Sequence, residues 1–301
     1  MIETIPFEKH SEKKIVIALG FFDCVHIGHR FLLSKCVESA KKLDCSGAAF
    51  TFDNNPQLFY KGNTARKLIY NFNQRLHLLE NCGINSVFYA HFDKDFCEMT
   101  ADEFLKILFS HNVAGVVCGE DYTFGKGAVG NAERLAIECQ RKKIDFLCVP
   151  QITYQNRKVS TTEICDFIIL GEIATANKLL GAPYRYSGQV SHGHGVGRQI
   201  GFATANLSIN PDLITPACGV YCGYAEIDGL TYKAIINVGN RPTFKDEEKK
   251  IEAHLIGFDG NLYGKTITLN FLRFLREIRK FDNQKELSEQ LAKDTAEATN
   301  G

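Results

Sequence analysis

Two histidines, His26 and His29, stand either side of Gly28, just after an apolar, β-branched run (Ile15 to Leu19) that breaks at Gly20. A buried strand would there hand over to a helix start, where unpaired backbone N–H groups and the positive end of the helix dipole welcome an anion. Two imidazole donors beside a glycine that lets the backbone approach closely outline a nucleotide-phosphate site. Two histidines capping a surface helix are the alternative, and local spacing leaves both open. Ser160-Thr161-Thr162-Glu163 repeats the choice at a second helix start, as a phosphate seat or a plain capping box.

The second half holds a different set. Gly193, Gly195, Gly197 and Gly201 surround Arg198 and could cradle nucleotide phosphates with backbone N–H groups, or simply form a turn. Thr204 and Asn206, two apart in an extended segment, point the same way and offer hard oxygens suited to Mg²⁺; a solvated strand face has the same pattern. Glu252 and His254 share a face opposite Ala253 and Leu255, so Glu252 is either solvated or a general base. Between these sets, the loop from Gly119 to Asn131 carries Asp121, Tyr122, Phe124 and Gly125. Its Walker reading fails, because Gly127 stands where Ser or Thr should meet magnesium. A wall for a flat aromatic ligand, or a mobile surface loop, remains.

The elements that must position these residues come in two rhythms. Up to about residue 183, strands (15–19, 47–53, 87–89, 114–118, 146–149) alternate with helices (31–43, 71–81, a capping box opening one at Thr100, and 131–143). That alternation implies a doubly wound parallel sheet, which binds ligands beyond the carboxyl ends of its strands. A helix over 172–180 ends at Gly181. From Tyr184 short strands alternate, with hairpin signals at Asp228-Gly229 and Asp259-Gly260. Residues 224–227 are expected to pair with 230–236, and 251–258 with 261–271, in a small antiparallel barrel finished by a helix over 284–298 that Asn283 caps. The expected domains are 1–183 and 184–301, an α/β chain overall.

Composition narrows the function. Lys+Arg and Asp+Glu both total 35 in 301 residues, so no net field draws in nucleic acid or an anionic membrane. The N-terminus lacks an apolar leader region and no run is long enough to span a bilayer. Eleven cysteines without a C-x-x-C pair read as small buried hydrophobes in a reducing, cytoplasmic setting. Small-molecule substrates are the expected partners, with no nucleic acid and no membrane; the oligomeric state stays open.

In chain order, G-x-F-D-x-V-H-x-G-H, G-x-D-x-x-F-G and S-T-T-x-I resemble the nucleotidyltransferase superfamily. In particular they are similar to the FMN adenylyltransferase module of bacterial bifunctional riboflavin kinase/FAD synthetases. G-x-V-x-H-G-x-x-x-G-R-x-x-G-F-x-T-A-N, then G-V-Y, N-x-G-x-R-P-T-F, E-x-H and L-Y-G-K resemble that family's riboflavin kinase domain. The resemblance implies that His26 and His29 hold a triphosphate, with Gly20, Phe22, Asp23 and Gly28 of the same motif beside it. It implies that Gly119, Asp121, Phe124, Gly125 and Asn131 lie near nucleotide or flavin, and that Ser160 and Thr161 close on phosphate. In the kinase half it assigns Gly195, Gly197, Arg198, Gly201, Asn237 and Arg241 to ligand binding, Thr204 and Asn206 to Mg-ATP, and Glu252 to the proton of the ribityl 5′-hydroxyl. Riboflavin plus ATP would give FMN, and FMN plus ATP would give FAD. Departures are Cys24 for a glycine, Asn55 for a histidine and Cys165 for an arginine in the first half, with Ala203 for a proline and Gly257 for an aspartate in the second. A kinase with a decayed adenylyltransferase, or a flavin-binding regulator without turnover, are the alternatives.

Overall fold

The buried runs of the N-terminal half pair into one sheet in a computed structural model that describes residues 2–191, 204–239 and 249–300. In chain order this half contains β1 (Glu3–Pro6), β2 (Ile15–Leu19), α1 (Ile27–Lys42), β3 (Ser46–Phe52), α2 (Pro56–Lys61), α3 (Phe72–Asn81), β4 (Ser86–Ala90), α4 (Lys94–Glu98) and α5 (Ala101–Leu108). It continues with β5 (Val113–Gly119), β6 (Thr123–Phe124), β7 (Gly130–Asn131), α6 (Ala132–Lys142), β8 (Asp145–Val149), β9 (Thr153–Tyr154) and β10 (Arg157–Lys158). Six strands lie in the order β1-β4-β3-β2-β5-β8, every pairing parallel. From β2 the chain first adds β3 and β4 on one side, then β5 and β8 on the other. The crevice beyond the ends of β2 and β5 is therefore the switch point at which such sheets bind ligands. All five residues of β2 are buried, as suits a central parallel strand. Phe7, Phe50, Phe88 and Phe104 anchor the core with Ile15, Ile17 and Leu19, Phe7 and Phe50 packing with ring centres 4.5 Å apart.

The second half starts with α7 (Thr161–Leu170) and α8 (Ile173–Leu180). β11 (Tyr184–Ser191), β12 (Thr204–Leu207), β13 (Gly219–Ile227), β14 (Leu230–Gly239), β15 (Lys250–Leu255) and β16 (Thr266–Arg276) follow, then α9 (Gln284–Asn300). The six strands close as an antiparallel barrel in the order β11-β12-β15-β14-β13-β16. The Asn177 side chain ties α8 to it, donating to Phe271 O at 2.8 Å and accepting from Tyr184 N–H at 2.7 Å. The chain divides into two compact units, Met1–Thr161 and Thr162–Gly301, which part earlier than the expected boundary after residue 183. No described helix is long and apolar enough to cross a membrane.

Asp228 and Gly229 both take positive φ, 50° and 81°, and join β13 to β14 with Ile227 opposite Leu230. The second expected hairpin does not form. Both edges of β15 are taken, by β12 and β14, while β16 pairs with β11 and β13. Asp259 stays out of the left-handed region and Gly260 sits at φ 152°, so this Asp-Gly pair lies in a longer connection instead of a two-residue turn. Strand β1 and the short helix α2 were not expected; Asn55 caps α2 through Gln57 N–H and Pro56 takes its first turn.

Candidate active sites

At the carboxyl end of β2 the chain turns tightly. A Cβ on Gly20 would sit 2.9 Å from the Phe22 ring, and both Phe22 (φ 49°) and Val25 (φ 47°) are in the left-handed region, which for a β-branched valine is strained. His26 then caps α1, its Nδ1 accepting from His29 N–H at 3.2 Å, so its Nε2 carries the proton. The two imidazoles stack with centres 3.7 Å apart, and a Cβ on Gly28 would come within 3.1 Å of the His26 ring. His29 Nδ1 is buried without a hydrogen-bond partner among the described residues. Burial pushes His26 down to about 4 and His29 well below its ordinary value, so both rings are neutral near pH 7.

These histidines line a cavity of about 220 Å³ with Gly28, Gly119, Asp121, Lys158, Ser160 and Thr161. Lys158 Nζ meets Asp121 Oδ2 at 2.7 Å, and Ser160 and Thr161 stand at the start of α7. A second cavity of about 420 Å³ shares His29, Gly119 and Asp121 with the first and is walled by aromatic rings, among them Phe21, Phe52, Tyr60, Phe92, Tyr122 and Phe124. Gly20, Phe22 and Gly125 also line it. A Cβ on Gly125 would fall 2.6 Å from Ala101 N, which fixes glycine there. Two of the expected residues lie elsewhere. Asp23 is buried, Oδ2 accepting from Ile69 N–H at 3.5 Å beside Arg75, and burial raises its carboxyl to about 6. Arg75 in turn donates to Phe21 O, Phe52 O and Thr51 Oγ1, so this pair braces the turn from inside. Asn131 lines neither cavity; its side chain caps α6 through Arg134 N–H.

On the barrel, Asn206 of β12 and Asn237 of β14 stand directly opposite Glu252 of β15, one on each side. All three are half-buried, whereas Ala205, Ile236 and Ala253, one residue along, fill the interior. Directly opposed residues share a face with Cβ atoms roughly 4.5–5.5 Å apart, so a carboxylate lies between two amides. Thr204, opposite His254, is the next outward residue on β12. The structure thus brings Thr204, Asn206, Asn237 and Glu252 to one surface. Gly195, Gly197, Arg198, Gly201 and Arg241 lie outside the described residues.

Residues 8–163 match the family model described as FAD synthetase, and 180–300 that described as riboflavin kinase. The bifunctional riboflavin kinase/FMN adenylyltransferase of Bacillus subtilis is 32% identical over 96% of this chain and 93% of its own. The chain belongs to the bifunctional riboflavin kinase/FMN adenylyltransferase family. The Escherichia coli K12 member is 30% identical over 93% of this chain and 90% of its own. A crystal structure of a macrolide-efflux protein from Streptococcus pneumoniae superposes with a TM-score of 0.89 at 31% identity, covering 100% of both chains.

Within the family, this member's departures have local causes or consequences. Asn55 caps α2 and donates to Arg66 O at 2.8 Å, Cys165 is buried, and Gly257 turns at φ 75°, a conformation side chains resist. Lys158 and the part of the aromatic wall made by Phe21, Phe52, Tyr60 and Phe92 escaped the sequence reading, which expected a wall only from the loop that carries Tyr122 and Phe124. Lys158 looked like one more exposed lysine, while the Leu58-Phe59-Tyr60 run was a visible but unused signal, a cluster of apolar residues left on the surface.

Proposed function

We propose that the chain converts riboflavin and ATP into FMN and ADP on the barrel, and FMN and ATP into FAD and pyrophosphate in the cleft of the parallel sheet. The observation that carries the proposal is a separate phosphate-type residue set in each half: the His26/His29 cleft in one, Glu252 between two asparagines in the other.

In the kinase step Glu252 takes the proton of the ribityl 5′-hydroxyl as that oxygen attacks the γ-phosphorus, and ADP leaves. Thr204 and Asn206 supply a hydroxyl and an amide oxygen on one face, a donor set that fits Mg²⁺. Bound there with ATP, Mg²⁺ would neutralise phosphate charge. Asn237 orients the Glu252 carboxylate or the flavin chain, and Gly195, Gly197, Arg198, Gly201 and Arg241 are assigned to the ligand by their motifs.

In the adenylyl step an FMN phosphate oxygen attacks the α-phosphorus of ATP and pyrophosphate leaves. His26, through its Nε2–H, and His29 donate to the triphosphate. Being neutral when empty, they gain affinity for protons as the anion arrives, so the site strengthens as charge builds. Ser160 and Thr161 add hydroxyl donors at the start of α7, and Gly28 and Gly119 leave room for the phosphates. Asp121 and Gly125 shape the passage between the cavities, and Phe22 and Phe124 help wall the isoalloxazine. Lys158 supplies a cation in this cavity. Six buried cysteines suit a reducing cytoplasm.

One observation favours a kinase-only reading: the buried Cys165 where the family carries an arginine. Purified protein given riboflavin, ATP and Mg²⁺ decides between them. FMN followed by FAD on chromatography is the expected result, FMN alone would remove the second activity, and neither flavin would remove both.

A further inference from the structure

Cys24, His26 and His29 meet at the head of α1. One ligand-capable atom from each, the thiol sulfur and a nitrogen from each ring, lies within 4.8 Å of the other two. With Zn–S near 2.3 Å and Zn–N near 2.0–2.1 Å, tetrahedral zinc holds such atoms about 3.3–3.6 Å apart, so the trio needs to close by about an ångström. Side-chain rotation supplies that movement. The rings now lie within 12° of parallel, and one must turn to aim its lone pair at a shared point. The contacts exchanged for metal bonds include the His26 cap on His29 N–H, the stack of the two rings, and the 3.6 Å contact between Cys24 Sγ and Thr161 Oγ1. A second observation points to a ligand. His29 Nδ1 is shut away from solvent with no hydrogen-bond partner among the described residues, a state buried polar atoms rarely keep.

We propose that Cys24, His26 and His29 form a binding site for a zinc-class divalent cation at the floor of the phosphate cleft, and that cation and nucleotide compete for it. One thiolate and two imidazoles are borderline-soft donors that select zinc over the oxygen-seeking Mg²⁺. Three protein ligands leave a fourth position open to the cavity that both histidines line, for water or a phosphate oxygen. Binding releases the Cys24 thiol proton to solvent and involves no change of oxidation state. The metal site stands on these residues alone. The competition rests on the histidines' proposed contact with the triphosphate.

Co²⁺ is the probe: an anaerobic titration of the full chain without nucleotide. The expected result is one equivalent bound, with a sulfur-to-cobalt charge-transfer band in the near ultraviolet and visible d–d bands of tetrahedral strength, all bleached by Zn²⁺. Cys24→Gly should abolish the charge-transfer band and Cys148→Ser should keep it. A band that survives Cys24→Gly, or no band in the natural chain, overturns the site. If Cys24→Gly fails to fold, X-ray absorption of the zinc-loaded natural chain decides: one sulfur and two imidazole nitrogens support the site, and no sulfur shell overturns it. ATP should raise the apparent Co²⁺ dissociation constant at least tenfold. A band indifferent to ATP would overturn the competition while the metal site stands, which separates failure of the nucleotide assignment from failure of the cation site.

Discussion

The cleft of the sheet and the outer face of the barrel prepare for phosphate by opposite means. In the cleft the backbone does most of the positioning: a strained turn at Phe22 and Val25, glycines crowded at positions 20 and 28, and a histidine that is at once helix cap and site residue. On the barrel the ladder does it, since pairing register alone sets Glu252 between Asn206 and Asn237. A slip of one residue would turn Glu252 into the hydrophobic interior. The comparison teaches that the barrel's chemistry can be removed one side chain at a time, whereas the cleft's chemistry is tied to local folding.

The largest expected effect tests that separability. Glu252→Gln keeps size and strand geometry but cannot accept the proton, so FMN formation should fall roughly 10²–10⁴-fold while FAD formation from supplied FMN is unchanged. Equal losses in both would break the contrast. His29→Ala comes next. Loss of one preorganised donor should cut FAD formation from FMN by roughly 10²–10³-fold and leave riboflavin phosphorylation intact, read by chromatography of each product. Gly20→Ala removes no polar group from the cleft, yet it pushes a methyl against the Phe22 ring and should destabilise the sheet unit by about 1–3 kcal/mol in urea. It should lower FAD formation and spare FMN formation; an unaltered urea midpoint would show that the turn is not held as described.

The smallest effect concerns acid. His111 is buried against Phe7 and Phe88 with Nε2 on Phe7 O, and burial lowers its pKa. The unfolded chain therefore takes up the proton first as pH falls below about 6.5, and stability is lost in that direction. His111→Gln should narrow the difference in urea midpoint between neutral and mildly acidic pH. A difference as wide as in the natural chain would contradict the assignment.

Much of this was legible because period and punctuation agree. Ile15 to Leu19 ending at Gly20, Thr100 opening a helix with Glu103 completing its cap, and Asp228-Gly229 all state their structure locally. What was not legible depends on distant partners. Asp259-Gly260 gives the same local signal as Asp228-Gly229, yet β12 and β14, both earlier in the chain, take both edges of β15. Four residues of a charged N-terminus become β1 only because β4 offers its edge. Arg75 reads as a helix-surface charge and is fully buried, because Phe21 O, Phe52 O and Thr51 Oγ1 wait for it. For the same reason Asp23, inside a motif that points at nucleotide, turns inward towards Arg75, and Asn131 spends its side chain on a helix start.

The claim that two independent sites act on consecutive flavins is tested most directly by following phosphorus. Riboflavin is supplied with ATP labelled only at the γ-phosphorus or only at the α-phosphorus. The account predicts γ label in both FMN and FAD, and α label in FAD alone. A flavin pool that takes up γ label and never α label would contradict the site at His26 and His29, and a pool that takes up neither would contradict both.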